Sequence, residues 1–237
     1  MRFMIQDNTN RPERGDDSRK PRADGEQSRE RLLLTAIRLF AEQGYGATST
    51  REIAQAAGAN SAAISYYFGD KAGLYRAAFT EPSLTRKKDI ALFDQPHFTL
   101  RQSLQGFYGQ LLVQMKQGEL ARLCLRLWFR EILEPTGLWA EEIDHGIRPA
   151  HAALVALLGR QLGMSEAEAR ADDDLYRLAF GIVGLGIQLI LTGDVVTAIR
   201  PHLIDSAAAI DAWSARLVDY AEAMVGAERA RREGTPT

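Results

Sequence analysis

The sequence predicts an all-α protein, and three observations lead to this fold class. Apolar residues recur at intervals of three and four along most of the chain, which is the period of a helix that buries one face. No segment of convincing length alternates apolar and polar residues as a strand would, and no repeat of fixed period occurs. With 237 residues, 46% of them hydrophobic, the chain can bury a sizeable core without disulfides.

The N-terminal segment, residues 1–26, lacks an apolar stripe and carries six basic and six acidic side chains. We therefore predict a flexible polar arm there. The arm has no apolar core beside a cleavage site, so we expect no signal peptide. Cys124 is the single cysteine and excludes an intramolecular disulfide, which agrees with a reducing, cytoplasmic location.

Two short helices around a glycine are the most informative stretch of the chain. A first long helix, from Ser28 to Gly44, precedes them. Ser49 can cap the next helix, with Glu52 three residues on as the reciprocal acceptor of a capping box. Gly58 ends that helix, and either Asn60 or Ser61 caps the following one, which runs to Phe68.

Two helices joined by a short glycine-containing turn form a helix-turn-helix, whose second helix enters the DNA major groove. Small side chains let that helix approach base edges, and hydroxyl and basic groups reach phosphates. Tyr66 has a second interpretation, packing on the helix before it, and Glu52 is read as a cap. The candidate DNA-binding residues are Thr48, Thr50, Arg51, Ser61, Ala62, Ala63, Tyr66, Tyr67 and Lys71. The basic cluster of residues 19–22 is either a minor-groove arm or a solvated tail.

From Gln27 to about Phe79 the chain resembles the TetR family of bacterial transcription regulators. The resemblance rests on three ordered groups of residues: Leu33, Ala36, Leu39, Phe40, Gly44 and Tyr45; then Thr48, Thr50, Arg51, Ile53, Ala54, Ala57 and Gly58; then Ile64, Tyr66, Phe68, Lys71 and Leu74. Ser65 departs from the family, which more often has tyrosine there. Its neighbours are similar to the CecR-type branch. The resemblance implies a homodimer, a DNA operator and a small-molecule inducer.

A fourth helix is predicted over Lys71 to Phe79, and Pro82 is expected to close the first domain. The predicted domains are thus the arm (1–26), a helix-turn-helix DNA-binding domain (27–81) and an all-helical ligand-binding and dimerisation domain (82–237). Within the last, the pattern predicts helices at 83–93, 99–117, 119–134, 138–162, 166–192 and 206–229, with glycine and proline between most of them.

The last two of these helices have wide apolar faces. In proteins that resemble the TetR family such helices form a four-helix dimer interface, while the subunit's own core is the plainer explanation, and both can hold. The candidate interface residues are Leu178, Ile182, Leu185, Leu189, Trp213, Leu217 and Tyr220. The apolar run from Leu178 to Leu191 is too short for a bilayer, which needs about 20 residues, so no membrane partner is expected.

Aromatic and methionine side chains at helical spacing in the larger domain indicate either a core or a lipophilic ligand cavity. The candidate cavity residues are Phe107, Leu111, Met115, Leu127, Trp128 and Trp139. His145 and His151 lie near acidic residues, but their spacing does not supply a third metal ligand, so we expect no metal and no cofactor.

These observations favour a cytoplasmic, homodimeric, ligand-responsive DNA-binding regulator, a repressor released from a palindromic operator by a small hydrophobic or amphipathic molecule. A net charge of −2 argues against a protein that coats nucleic acid indiscriminately. An enzyme is not expected, because no nucleophile–base arrangement or phosphate-binding glycine loop appears. The alternative is an all-α ligand-binding or partner-binding protein whose helix-turn-helix is vestigial.

Overall fold

The computed structural model describes residues 20–84 and 90–234, with side chains over 24–82 and 90–234. The regular elements in these ranges are all helical, as predicted, and twelve of them are α-helices. They are α1 (Lys20–Gln43), α2 (Thr50–Ala56), α3 (Ser61–Phe68), α4 (Lys71–Leu84), α5 (Leu100–Leu112), α6 (Glu119–Leu133), α7 (Leu138–Glu142), α8 (Arg148–Gln161), α9 (Glu166–Ala171), α10 (Asp173–Leu191), α11 (Gly193–Ile199) and α12 (Ala207–Glu233).

The first helix begins earlier than predicted. It starts at Lys20, eight residues before the expected cap at Ser28, so residues 20–26 of the predicted arm are helical. Pro21 stands in the first turn, where its missing N–H costs nothing. Residues 1–19 lie outside the described residues, and with them most of the predicted arm. The helix ends as expected at Gly44, whose φ of 86° few other residues adopt.

The turns around α2 and α3 follow the predicted capping, with one difference. The Ser49 hydroxyl accepts from the Glu52 N–H at 3.1 Å, and the Asn60 side chain accepts from the Ala62 N–H at 2.9 Å, so Asn60 is the cap of α3. The Glu52 carboxylate does not complete the capping box. It accepts instead from Gln43 Nε2 at 2.8 Å, because the end of α1 lies beside α2.

The buried side chains form two separate cores. The head core joins α1, α2, α3 and α4 with α6 and the start of α7, and it includes Leu32, Phe40, Ile53, Ile64, Leu74, Cys124, Leu127 and Leu138. The body core joins α5, α8, α9, α10 and α12, and it includes Leu104, Tyr108, Leu112, Leu154, Leu158, Leu175, Ile182, Leu217 and Val218. Two helices that follow Pro82 in the chain thus complete the core of the first four.

Several predicted boundaries differ from those of the structure. Helix α4 continues through Pro82 to Leu84. Residues 85–89 of the predicted 83–93 helix lie outside the described ranges, and residues 90–92 form a 3-10 turn. The predicted 138–162 helix contains a π-helical segment, Ile143–Ile147, between α7 and α8. The predicted 166–192 helix divides at Asp172, whose carboxylate caps α10.

Helix α10 is long and apolar enough to cross a membrane by length and composition, the one such helix among the residues that the structure describes. Core helices of soluble proteins pass the same test. Leu175, Ala179 and Ile182 of this helix are fully buried in the body core, whereas Phe180 on another face is exposed. The helix is therefore a core helix of the body that also presents an apolar face outward.

Candidate nucleic-acid interface

One face of α3 is turned fully outward. Ser61, Ala62, Ser65, Tyr66 and Gly69 are exposed and follow one another at the spacing of a single helical face. Ile64, on the opposite side, is 1% exposed and packs in the head core, whereas Tyr66 is 81% exposed. The face therefore carries two hydroxyl side chains, one methyl group and one projecting phenol, without a bulky obstacle to a close approach of the backbone.

Helix α3 is held by contacts with the two longer helices of the head. The Arg29 guanidinium of α1 lies 4.9 Å from the centre of the Phe68 ring, the last residue of α3. The same guanidinium makes a two-point ion pair with Glu81 of α4, with one N–O distance of 3.1 Å. Both contacts fix the end of α3 between α1 and α4.

The tyrosines of α3 occupy different environments. The Tyr66 and Tyr67 rings meet edge to face with centroids 4.9 Å apart. Tyr67 is half-buried, and its hydroxyl would lie 3.4 Å from a Cβ atom placed on Gly25, so α1 passes close by. Tyr66 keeps its hydroxyl at the outer surface, where the sequence interpretation requires it.

Eight of the nine candidate DNA-binding residues are at least partly exposed in the structure. Arg51, Ser61, Ala62 and Tyr66 are exposed, and Thr50, Ala63, Tyr67 and Lys71 are partly exposed. The Lys71 ammonium lies 4.4 Å from the centre of the Tyr45 ring, a cation–π contact that holds its side chain against the head.

Thr48 requires a correction. It is 1% exposed, and its hydroxyl donates to the Gly44 carbonyl at 2.8 Å and to the Leu39 carbonyl at 3.3 Å. These carbonyls belong to the last turn of α1 and to the glycine that follows it. The Thr48 hydroxyl therefore closes the end of α1 and is not available to a phosphate.

The sequence interpretation left out Ser65, which lies on the outer face one turn after Ser61 and beside Tyr66. A serine hydroxyl can donate to or accept from any base edge. The signal is present in the sequence, because Ser65 follows Ser61 by four residues and therefore lies on the same helical face.

The six candidate cavity residues do not lie together. Phe107, Leu111 and Met115 pack against the body core. Leu127 is buried in the head core, and Trp128 and Trp139 pack against it, with their rings edge to face and 4.8 Å apart. The correction has a physical reason, since α5 and α6 turn their apolar faces to different cores.

A groove with a volume of about 460 Å³ lies where the outer side of α6 meets the end of α1. None of the six candidates lines it. Its walls are formed by Glu42, Arg126, Phe129, Arg130, Leu133 and Glu134.

The candidate dimer residues lie mainly inside the subunit. Leu178, Ile182, Leu189 and Leu217 are buried in the body core, and Leu185 and Trp213 pack against it. Tyr220 alone of the seven is exposed. The outward apolar face of α10 carries Phe180, Gly184 and Leu191 instead, which the sequence interpretation did not separate from the buried stripe.

The histidines do not form a metal site with their acidic neighbours. No group of three metal-ligating side chains occurs in the described ranges. His145 Nδ1 lies 2.9 Å from the Glu141 carbonyl one turn earlier. His151 lies against the rings of Tyr176 and Phe180, and burial lowers the pKa of its imidazole.

Comparison with known proteins agrees with this arrangement. Residues 32–78 match the family described as "Bacterial regulatory proteins, tetR family". Residues 100–227 match "HTH-type transcriptional dual regulator CecR, C-terminal domain". The CecR regulator of Shigella flexneri is 32% identical over 157 residues, which are 62% of this chain and 70% of the relative. The AcrR regulator of the same species is 41% identical over 58 residues, 24% of this chain and 27% of the relative.

A solved structure supports the fold. A regulatory protein of the tetR family from Rhodococcus RHA1 has a TM-score of 0.61 at 23% identity, over 84% of this chain and 96% of that one. The all-α fold is thereby confirmed, and the two family matches confirm the sequence resemblance. Since the C-terminal match alone covers more than half of the chain, and the CecR relative is covered over most of its length, the chain belongs to the TetR family of bacterial transcription regulators, with a CecR-type C-terminal domain.

Proposed function

We propose that this regulator represses transcription by binding a palindromic operator as a homodimer through the outer face of α3, and that a small hydrophobic or amphipathic molecule releases it. Regulators of this family are not enzymes; they bind DNA operators and small-molecule effectors and act as dimers. Each member of the family has its own operator, effector and direction of regulation, and for this chain we propose all three.

The observation that supports it best is the composition of the exposed face of α3. Tyr66 projects from this face, and Ser61, Ala62 and Ser65 surround it with short side chains. Short side chains permit contact with base edges in the major groove, while the phenol reaches a phosphate. Arg51 of α2 is exposed and Lys71 of α4 is partly exposed, and both supply positive charge to the head, which favours DNA over a neutral partner.

A dimer supplies two such faces. Two half-sites in successive major grooves lie about 34–36 Å apart, and a two-fold protein matches a palindrome with that spacing. An effector that binds better to a conformer with a different spacing shifts the population toward it and weakens DNA binding by the difference in its affinities. The cytoplasm is the expected location, where the operator lies.

The description of the CecR relative bears on the direction of regulation. The CecR relative is named a dual regulator, which favours a second candidate function in which this chain also activates some promoters. A transcription assay on each bound promoter distinguishes the two, because a repressor lowers transcript yield at all of them.

The test is equilibrium binding of the purified protein to a fluorescent duplex from its own upstream region and to a scrambled duplex, at two salt concentrations. We expect a preference of roughly a thousandfold or more, with clear salt dependence. Tyr66→Ala and Lys71→Ala should each weaken binding by about tenfold, which is about 1.4 kcal/mol.

Two control variants carry the same kind of truncation away from the proposed surface. Leu133→Ala removes a side chain that is 80% exposed on α6, and Arg148→Ala removes an exposed charge on α8. Both should bind the duplex as the unaltered protein does. Equal affinity for the two duplexes would refute the proposed operator recognition, and unchanged affinity in both test variants would refute the assigned surface.

A further inference from the structure

Helix α6 and the start of α7 belong structurally to the head. Leu127 of α6 is 1% exposed and Leu138 of α7 is 6% exposed, and both are packed with side chains of α1 and α4 in the head core. The segment from α6 to the start of α7 therefore braces the DNA-binding unit, although it follows that unit by more than thirty residues in sequence. We call this segment the brace.

Within this brace lies a fully buried carboxylate. Glu131 of α6 is 0% exposed. Its oxygens accept from the Tyr75 hydroxyl at 2.8 Å, from the Thr136 N–H at 2.7 Å and from the Thr136 hydroxyl at 3.0 and 3.1 Å, and the Trp139 N–H lies at 3.3 Å. No lysine or arginine forms an ion pair with it in the part of the chain that the structure describes.

Burial of a carboxylate is costly even when hydrogen bonds satisfy it. An apolar side chain in its place would leave the buried Tyr75 hydroxyl and Thr136 N–H without an acceptor. What Glu131 provides, and an apolar residue would not, is a directional link between defined atoms.

Only one of its bonds leaves the brace. The Thr136 and Trp139 donors lie in the turn between α6 and α7 and at the start of α7, whereas Tyr75 belongs to α4. The Tyr75 ring sits against Phe40 and Tyr45, with both ring centroids 4.9 Å away. Burial and the bond to Glu131 raise the pKa of the Tyr75 phenol, which keeps it a donor.

Arg130, the residue before Glu131, attaches the same brace to α1. Arg130 donates from Nε to the Ala41 carbonyl at 2.9 Å and from a terminal nitrogen to the Glu42 carbonyl at 2.7 Å. These are unpaired carbonyls at the negative end of the α1 dipole, where a guanidinium is favourable. Arg130 thus holds α1 and Glu131 holds α4, and the end of α3 is fixed between these two helices.

We propose that Glu131 is a positioning residue for DNA binding, which sets the orientation of α4, and through it of α3, by its bond to the Tyr75 hydroxyl. Helix α4 begins three residues after the last residue of α3, so a change in the orientation of α4 moves the recognition face of α3. Glu131 itself does not touch DNA.

Two variants test this role, because each removes one hydroxyl group that donates to the Glu131 carboxylate. Tyr75→Phe removes the bond that reaches α4, and Thr136→Val removes bonds that stay within the brace. We expect both to lower the melting temperature by a similar few degrees. Only Tyr75→Phe should weaken binding to the upstream duplex, by about tenfold. Equal DNA affinities of Tyr75→Phe and Thr136→Val would overturn the proposal.

A second readout needs no DNA. Hydrogen exchange of α3 and α4 amides in the free protein should be faster in Tyr75→Phe than in Thr136→Val at matched stability. Identical exchange in these helices would also overturn the proposal. If the unaltered protein does not recognise the upstream duplex, the proposed operator fails, while the exchange comparison still decides whether Glu131 positions the head.

Discussion

At the scale of single residues, the sequence shows which hydroxyl side chains lie near the helix-turn-helix, but it does not show whether each one points into the core or toward solvent. Thr48 and Ser65 are both small hydroxyl residues next to or within the helix-turn-helix. Thr48 is buried because its neighbours in space are the last carbonyls of α1, and Ser65 is exposed because the opposite face of α3 carries Ile64 into the core. The first fact depends on how the loop after α1 folds back onto the carbonyls of Gly44 and Leu39, which the apolar period does not show.

This difference predicts opposite effects of two conservative substitutions. Thr48→Val removes a buried hydroxyl bond and should lower the free energy of unfolding by about 1 kcal/mol, with DNA affinity of the folded protein unchanged. Ser65→Ala should leave the unfolding free energy unchanged and alter the preference among operator variants. Denaturant unfolding and duplex binding of both proteins measure the four quantities. A Thr48→Val protein of normal stability and weakened DNA binding would return Thr48 to the contact surface.

At the scale of elements, the apolar period predicts where helices exist. It does not predict a break between two helices where the sequence has no glycine or proline. The predicted helix 166–192 is interrupted at Asp172, whose carboxylate accepts from the Leu175 N–H at 2.7 Å. Arg232 of α12 donates to both oxygens of this carboxylate, at 2.8 and 2.9 Å. The apolar stripe runs on across the break, and the pair with Arg232 from the end of the chain holds the capping carboxylate in place.

The Asp172–Arg232 pair predicts a pH dependence of stability. The Arg232 guanidinium, against the smaller opposing effect of burial, lowers the pKa of Asp172 to about 2. A carboxyl group with a lowered pKa in the folded state stabilises the fold above its ordinary pKa of about 4, and loses this contribution as the pH falls toward 2. Asp172→Asn keeps a good capping group and removes the charge, so it should melt below the unaltered protein at pH 7.

The difference in melting temperature should close between about pH 4 and pH 2, because the unaltered Asp172 becomes protonated there. Asp173→Asn is the matched control, since Asp173 is the next residue and its side chain is 88% exposed. It should melt close to the unaltered protein at every pH. Thermal melts in a pH series make the comparison, and a difference that is independent of pH would show that the Asp172 charge contributes nothing.

At the scale of the whole molecule, the period of an apolar stripe identifies a buried face but not what covers it. The stripes of α5 and α6 look alike in sequence, yet one faces the body core and the other the head core. For the same reason the candidate dimer residues on α10 are mainly the subunit's own core, and the outward face was not distinguished. The fold class and the helix-turn-helix were predictable because they depend on local spacing. The assignment of faces to partners depends on packing over long distances in the chain.

The outward face of α10 is where we expect the second subunit. Phe180 is 63% exposed and Leu191 is 51% exposed, and Gly184 lies between them on the same face. A Cβ atom on Gly184 would meet nothing within 4 Å in the subunit. A larger residue there should leave the subunit's fold intact, and even favour the helix, because glycine destabilises a helix interior by about 0.5–1 kcal/mol. It would, however, prevent a partner helix from approaching closely.

Gly184→Arg is therefore expected to convert the dimer into a folded monomer in sedimentation equilibrium, and to lower affinity for a two-half-site duplex far more than for a single half-site. Gly109→Arg is the matched control, because Gly109 is an exposed helical glycine of α5 that also has open space beside it. The control should remain a dimer. If both variants remain dimers, the subunits meet on a different surface, and if both dissociate, the added charge and not its position on α10 is responsible.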